Sequence, residues 1–431
     1  MWFEAGGTYM KIAFVSRESF PLGICGQKGG IGRYVETTAT ALARNGVAVS
    51  VFSESPDSAY REQVVDGVLV HYLPKWMPDD SFDYLFRRVE RFLFSLPYIG
   101  RQWAILSTKV RRSKIVAAHL HSLSKKIAWD CIEFADCGAE GFFYIVGKGD
   151  RLPCCVRVHG PTQMLCTFNN VQESLGWKLL IQAERLAARN AEKVTAPSEF
   201  AAQMGQHVWK LSKRYPDVVH NYIDSGIFCA PEKRQPNEKI TILYTGRLQM
   251  GKGMSLLPEL ISLLAERGLC FEMRLAGSDT NTAPGGGSVK DWLVSTIPEE
   301  HLACVQFLGG LDCASLVKEL QRADIGVYMS KCETFGYTCL EAQSCGLPVV
   351  TTNVGGTQEV IVSGETGVCV EPDNIEAVCS SILDLATDRE LRLAFSERAR
   401  ENARDRFSVD DNICNLLDVY AKLAAMRGAE K

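Results

Sequence analysis

Short apolar runs alternate with amphipathic stretches along this chain, and they do so in two separate series. In the first, KIAFVS (11–16) reads as a strand, YVETTATALARNG (34–46) has helical spacing, and VAVSVFS (47–53) reads as the next strand. The helix is expected to stop at Gly46, since glycine is a common helix end. Strand–helix–strand alternation predicts parallel sheets with helices on both faces. The pattern loosens over 75–126, where aromatic and basic residues stand in a mainly helical register. CCVRVHG (154–160) returns to strand, WKLLIQAERLAARNA (177–191) is a long helix, and KVTAPS (193–198) is another strand.

The text turns polar over 221–238 (NYIDSGIFCAPEKRQPNE), where Pro231, Pro236 and a charge cluster mark a linker. The second series starts at TILYTGR (241–247). It runs through a helix over MSLLPELISLLAERG (254–268), strands FEMRLAGS (271–278) and VQFLGG (305–310), and a helix over SLVKELQRA (315–323). Strand DIGVYMS (324–330), a helix over YTCLEAQSCG (337–346) and strand PVVTT (348–352) complete it. TNTAPGGGS (280–288) reads as a flexible surface loop by its glycine and proline content. A length of 431 residues exceeds one ordinary core, which agrees with two domains. The expected division is an N-terminal domain over 1–222, a C-terminal domain over 223–408, and a final helix from 409 to 431. Ligands of such open parallel sheets approach the carboxyl ends of the strands, which says where to look for chemistry.

Composition removes several classes. Hydrophobic residues at 46% and charged residues at 23% give an ordinary globular balance. A net charge of −4 is not that of a dedicated nucleic-acid binder. No stretch approaches the ~18 uninterrupted apolar residues of a membrane span. The start, MWFEAGGTYMKIAFVS, does not read as a signal peptide; its first ten residues read as a ragged leader, with Met10 as an alternative start. None of the 16 cysteines stands in CxxC spacing, so zinc and thioredoxin-like motifs are not indicated. Most lie in apolar segments, where a reduced cysteine packs as a small hydrophobe, and a reducing cytoplasm is expected.

Four polar clusters fall near predicted strand ends. Arg247 follows ILYTG, and Lys252 follows five residues later in GRLQMGKG; two cations on a glycine-containing loop suit a diphosphate. The other reading of that loop is a solvated basic helix start. Glu333 follows DIGVYMS, and Glu341 lies in the helix after it. Carboxylates accept from vicinal hydroxyls, which ribose and hexoses supply, and the amides near 335–338 are placed to donate to phosphate oxygens. A capped amphipathic helix with two solvent-facing acids is the alternative. His159 ends an apolar strand, where a structural histidine and a functional one are both reasonable. GGIGR (29–33) opens the first long helix but fails as a dinucleotide fingerprint, because the last glycine is missing and the preceding strand ends near Ser16.

Together these residues carry a family resemblance. The string ETFGYTCLEAQSCGLPVVTTNVGGTQEVI resembles the signature of family-4 retaining glycosyltransferases of the GT-B fold, with Glu333 and Glu341 as the ends of its E-x7-E pattern. TGRLQMGKG, QFLGG, KVTAPS and GGIGRYVETTATALARNGVAVSVFS extend the similarity, strongly over 240–375 and weakly over 55–150. The resemblance implies an α/β fold of two Rossmann-like, doubly wound domains facing a cleft, with the final helix (about 409–426) crossing back to the N-terminal domain. It implies that Glu333 holds donor-sugar hydroxyls and Glu341 the ribose hydroxyls. Arg247 and Lys252 would neutralise the diphosphate leaving group, and Phe335, Gly336, Tyr337 and Thr338 would give backbone contacts to sugar and phosphate. Leu308, in QFLGG, would join the donor-binding set. His159 would lie beside the sugar near the acceptor, and Gly29, Gly30 and Gly32 would shape the N-domain loop that meets the donor.

The implied reaction moves a sugar from a nucleotide-diphosphate sugar, with UDP favoured, to a saccharide, small-molecule or lipid-linked hydroxyl acceptor. Attack on the same face gives retention, the departing phosphate helps to take the acceptor proton, and domain closure excludes water. The chain has no Asp-x-Asp motif, so no metal or other cofactor is expected. Rival readings are a phosphorylase or epimerase on the same fold, or a non-catalytic nucleotide-sugar binder. Finally, residues 87–126 hold ten Lys or Arg (87, 88, 91, 101, 109, 111, 112, 114, 125 and 126) against one acid, Glu90. That stretch reads either as a contact with a membrane surface, at an inner membrane face, or with an anionic acceptor such as a lipid diphosphate, or as a solvated helical face with its apolar side packed on the domain.

Overall fold

The computed structural model describes residues 10–18, 20–21, 29–55, 59–75, 97–147, 149–168, 173–211, 214–232 and 237–429. They form two compact units. The first gathers the described residues of Met1–Leu22, Ile31–Val219 and Ile413–Lys431; the second gathers those of Gly23–Gly30 and His220–Asn412.

The first unit is built on strands β1 (Lys11–Val15), β2 (Ala48–Glu54), β3 (Arg61–Val65), β4 (Val68–Leu73), β5 (Cys131–Ala135), β6 (Cys154–Arg157), β7 (Lys193–Ala196) and β8 (Asp217–Val218). Their order across the sheet is β3-β4-β2-β1-β5-β6-β7-β8, parallel except for the β3–β4 hairpin. Four of the five residues of β1 and all of β5 and β6 are buried. Such continuous apolar runs are what a parallel sheet covered on both faces requires. The first helix, Gly30–Arg44, ends before Gly46, which takes the left-handed φ of 81° expected at a helix end.

Strands β9 (Ile240–Thr245), β10 (Phe271–Ala276), β11 (Val305–Gly309), β12 (Ile325–Tyr328), β13 (Val349–Thr352) and β14 (Gly367–Val370) make the second sheet. Its order is β11-β10-β9-β12-β13-β14, parallel at every pairing. Each sheet therefore has one switch point, where the chain reverses its direction of travel across the strands: β1/β5 in the first and β9/β12 in the second. After the helix Arg389–Phe407 the chain enters the helix Val409–Ala429. Leu416, Tyr420 and Leu423 of that helix are fully buried. The Tyr420 phenol donates 2.8 Å to Glu133 Oε2 on β5, and its ring meets Phe14 of β1 edge-on.

Three expectations need correcting. The segment from 221 to 228 is not a free linker: Tyr222, Ile223 and Phe228 are buried, and the Ile223 amide donates to Phe407 O at 2.9 Å. The three apolar side chains outweigh the polar flanks that suggested a linker; part of those flanks, 233–236, lies outside the described residues. The loop over 280–288 is pinned. Thr280 Oγ1 donates to Leu248 O at 2.6 Å, Thr282 Oγ1 accepts from the Met250 amide at 3.2 Å, and Ser288 caps the helix Val289–Thr296. Its glycines, 285 to 287, all have positive φ, so they shape a turn. The basic stretch is not one solvated face either. Lys125 and Lys126 on the helix Pro97–Ile127 are exposed, but Arg112 is only 8% exposed. Residues 87–96 and the side chains of 97–105 lie outside the described set.

Candidate functional site

The second unit's switch point brings together residues 81 positions apart. After β9 the chain makes the loop 246–253; after β12 it makes the loop 329–336. The Lys331 amide donates 3.0 Å to Gly251 O and ties the loops together. Gly253 lets them meet: its φ is +81°, and a Cβ there would come 2.1 Å from Met329 O. Across this junction Lys252 Nζ donates to Glu333 Oε1 at 2.6 Å, and Ser330 Oγ donates to the same oxygen at 2.8 Å. The side chains of Lys252 and Glu333 are 32% and 16% exposed, so the pair is reachable from solvent while its stems are held.

Arg247 is exposed, and among the described residues its guanidinium makes no hydrogen bond or ion pair. Its backbone is fixed, because Tyr244 OH donates to Arg247 O at 2.8 Å. Tyr244 on β9 and Tyr328 on β12 lie side by side, ring centroids 6.1 Å apart, and form a buried floor under the loops. Burial pushes both phenols far up. At Tyr244 the negative charge of Glu333 adds to the rise and Arg247 opposes it. Both stay protonated; Tyr244 donates to Arg247 O, and Tyr328 OH shares a hydrogen bond with Thr245 Oγ1 at 2.9 Å.

The helix Tyr337–Ser344 begins at Gly336, whose φ is +99°, and no side chain caps it. A helix start presents its first-turn amides and the positive end of the helix dipole. That start lies against the Arg247 loop: a Cβ on Gly246 would come 3.9 Å from Thr338 Cγ2. Glu341 is 6% exposed, which rules out a solvent-facing acid. Phe335 is 1% exposed and packs its ring among His220, Tyr337 and Phe407, so only its backbone is placed for a ligand. Leu308 stands on the edge strand β11, where the β10–β11 register slips, and β10 separates it from β9.

In the first unit, His159 lies two residues past β6. Its amide and that of Gly160 donate to the two oxygens of Asp136, at 3.0 and 3.1 Å, and the Cys137 amide donates to Oδ1 at 2.7 Å. Burial lifts the Asp136 carboxyl to about 6 against the lowering effect of these amides. The His159 ring packs 5.0 Å from that of Tyr34. Burial, then the Arg157 charge, holds its pKa well below the usual value, so the imidazole is neutral at physiological pH. The glycine-rich run is corrected: Gly30 and Gly32 belong to the first turn of a helix, and only Gly29 precedes it. The Gly32 amide donates 2.6 Å to Glu18 Oε2, so a carboxylate of the chain already occupies that helix start.

Sequence reasoning missed Ser330, Tyr244, Asp136 and Glu18. Asp136 directly follows β5, and the strand-end rule that selects His159 finds it when applied to every strand. Ser330 stands three residues before Glu333 in the sequence. Among the described residues no group of three or more His, Cys, Asp or Glu is arranged to hold a metal.

Residues 28–226 match the family model described as Glycosyltransferase Family 4, and residues 229–402 match that of Glycosyl transferases group 1. A glycogen synthase of Mycobacterium tuberculosis is 31% identical over 214 residues; the match spans 49% of this chain and 49% of that protein, about half of each. A D-inositol 3-phosphate glycosyltransferase of Saccharomonospora viridis is 25% identical over 97% of this chain and 95% of its own length. Among solved structures, a sucrose-phosphate synthase from Thermosynechococcus elongatus superposes with a TM-score of 0.75 at 19% identity, covering 97% of this chain and 100% of that one. Anabaena HepE in complex with UDP and glucose gives 0.66 at 17% identity, covering 96% and 100%. These two show the shared fold. The chain is a glycosyltransferase of the GT-B fold and belongs to family 4.

Proposed function

We propose that the enzyme is a retaining, metal-independent glycosyltransferase that takes its sugar from a UDP-sugar and passes it to a hydroxyl acceptor. The observation that carries this reading is the Lys252–Glu333–Ser330 cluster at the β9/β12 switch point, with Arg247 unpaired beside it. Glycosyl transfer builds positive charge on the sugar and negative charge on the departing diphosphate. Lys252, Arg247 and the helix start at Gly336–Thr338 stabilise the second. Such fixed charges aimed at developing charge are usually the largest catalytic contribution. Glu333 accepts from sugar hydroxyls while Lys252 and Ser330 hold its carboxylate, and Glu341 accepts from the ribose hydroxyls. Leu308 and the backbone at 335–338 complete the donor contacts. Neutral His159 serves as a hydrogen-bonding group toward the acceptor side and not as a fixed cation, with the turn at Gly29, Gly30 and Gly32 shaping that side.

The choice of UDP is supported by the Anabaena structure, which holds UDP and glucose, and the polyol or saccharide acceptor by the name of the inositol-phosphate relative. Metal independence rests on two cations standing where a metal-held diphosphate would need acids. A reducing, cytoplasmic setting is supported by the 15 described cysteines, all of them free. A membrane-surface role for 87–126 gains nothing from the described part of that segment, since Arg112 turns inward.

Thermal-shift screening of UDP, GDP, ADP and their sugar conjugates tests the donor, because a ligand of the folded state raises its melting point. UDP and its conjugates are expected to give the largest shift, unchanged by EDTA. Proton NMR of the product is expected to show the donor's anomeric configuration. Turnover with inorganic phosphate and no nucleotide would overturn the reading in favour of a phosphorylase.

A further inference from the structure

The first sheet has its own switch point at β1/β5, and the strand ends there carry a cluster that the donor chemistry does not use. Arg17 stands two residues past β1 and Gly138 three residues past β5. Gly138 has a φ of +88°, and a Cβ on it would come 3.2 Å from Arg17 Nη1 and 3.3 Å from Lys109 Nζ. Two cationic heads therefore converge over one glycine. Lys109 reaches in from the helix Pro97–Ile127, and Arg112 stands one turn further along it.

The donors of these cations are poorly used by the protein. Among the described residues the Lys109 ammonium makes no hydrogen bond and no ion pair. The Arg112 guanidinium is buried and, among the described residues, makes no hydrogen bond; it forms an ion pair with Glu140, 3.6 Å from Nε. Among the described residues Arg17 makes one side-chain hydrogen bond, from Nη2 to Cys137 Sγ at 3.4 Å, and feels the charges of Glu140 and Glu18. Native structures rarely leave buried charged donors unmet, because each loses its hydration.

One buried acid, Glu140, faces this cluster: it pairs with Arg112, and its charge also acts on Arg17 and Lys109, so a single carboxylate stands against three cations. The other acids nearby accept hydrogen bonds elsewhere. Glu18 accepts from the Gly32 amide, and Asp136 from three backbone amides. Glu184 accepts from the amides of Gly138 and Thr162 and from the Thr162 hydroxyl. Burial pushes its carboxyl up to about 8, so it offers these cations little negative charge at neutral pH. The Cys137 thiol is pushed up to about 12 and stays neutral. The cradle is also rigidly placed relative to His159, since Asp136 binds the amides of both Cys137 and His159.

We propose that Arg17 and Lys109, backed by Arg112, bind a negatively charged group on the acceptor, a phosphate monoester or a carboxylate, so that this enzyme glycosylates anionic acceptors. This rests on the glycosyltransferase reading above; what it adds is the acceptor's chemical class and the residues that recognise it. Arg17 supplies a planar fork and Lys109 a point charge, a combination that suits an oxyanion with several acceptor oxygens.

The test uses the full-length protein and a matched set of probes: glycerol 3-phosphate, glycerate and glycerol, with UDP titrated separately. Calorimetric titration is expected to show glycerol 3-phosphate or glycerate binding at least tenfold more tightly than glycerol, and the stronger of the two names the anion. Lys109→Gln and Arg17→Gln should each bring anion binding toward that of glycerol and leave UDP affinity unchanged, while Lys109→Arg retains most of it. Equal binding of glycerol and both anions, or wild-type anion binding by both Gln variants, would overturn the proposal. If the anions bind and UDP does not, the donor reading fails instead and the anion site stands.

Discussion

Replacing Lys252 with methionine separates what the Lys252–Glu333 pair does for the fold from what it does for the reaction. Two unit charges about 4 Å apart attract by roughly 4 kcal/mol at an effective dielectric of ~20. Both side chains are partly exposed, however, and they must lose rotamer freedom and hydration to meet. Measured values for such pairs fall to about 1 kcal/mol or less. Ser330 continues to donate to Glu333 in the variant, so the carboxylate is not left bare. For a unit of this size ~1 kcal/mol moves the melting point by about 2–4 °C. Catalysis should suffer far more. Removing one preorganised donor to a developing oxyanion costs roughly 2.7–4 kcal/mol, or about 100- to 1000-fold in rate. The assay is UDP release from UDP-glucose in the absence of acceptor, read with a melting curve of each variant. A melting point within a few degrees of wild type and a rate down at least 100-fold are expected. A variant that releases UDP within threefold of wild type refutes the assignment of Lys252 to the leaving diphosphate.

Three further outcomes follow from the same geometry. Gly253→Ala should destabilise the second unit by about 2 kcal/mol or more, from left-handed strain and a Cβ placed 2.1 Å from Met329 O; an unchanged urea midpoint would refute this. Tyr420→Phe should cost the first unit about 1–3 kcal/mol, since buried Glu133 loses a hydrogen-bond donor, and denaturant melts of the variant measure it. Glu184→Gln should flatten the pH dependence of stability on the alkaline side. Burial raises the folded carboxyl above its unfolded value to about 8, so its contribution is complete below the ordinary carboxylate pKa and is lost as pH rises through about 8. Between those limits wild type should lose up to ~1.4 kcal/mol per pH unit relative to the variant; parallel curves from pH 5 to 9 would sink the assignment.

The alternation of apolar runs and amphipathic stretches was enough to read two parallel sheets. Strands such as KIAFV and CCVR are buried on both faces, and that demand is written in consecutive residues. The donor motif was legible for the same reason: Arg247, Lys252 and Glu333 each stand within a few residues of a strand end. Their meeting was not legible. Lys252 touches Glu333 because β9 and β12 are sheet neighbours, a fact of strand order that no local pattern encodes. The segment 221–228 and the loop over 280–288 were misread because proline, glycine and charge report local backbone freedom, whereas burial of Phe228 and the Thr280 bond to Leu248 depend on distant partners. The cation cradle over Gly138 is the furthest case. Arg17, Lys109 and Gly138 lie 92 and 29 residues apart along the chain and looked like ordinary polar positions until the fold stacked them. Sequence alone determined the family and most of the elements, and it singled out the candidate donor residues, because these are carried by neighbours in the chain. Tertiary structure decided which charges pair and which stand unpaired, because electrostatic partnership is set by distance in space.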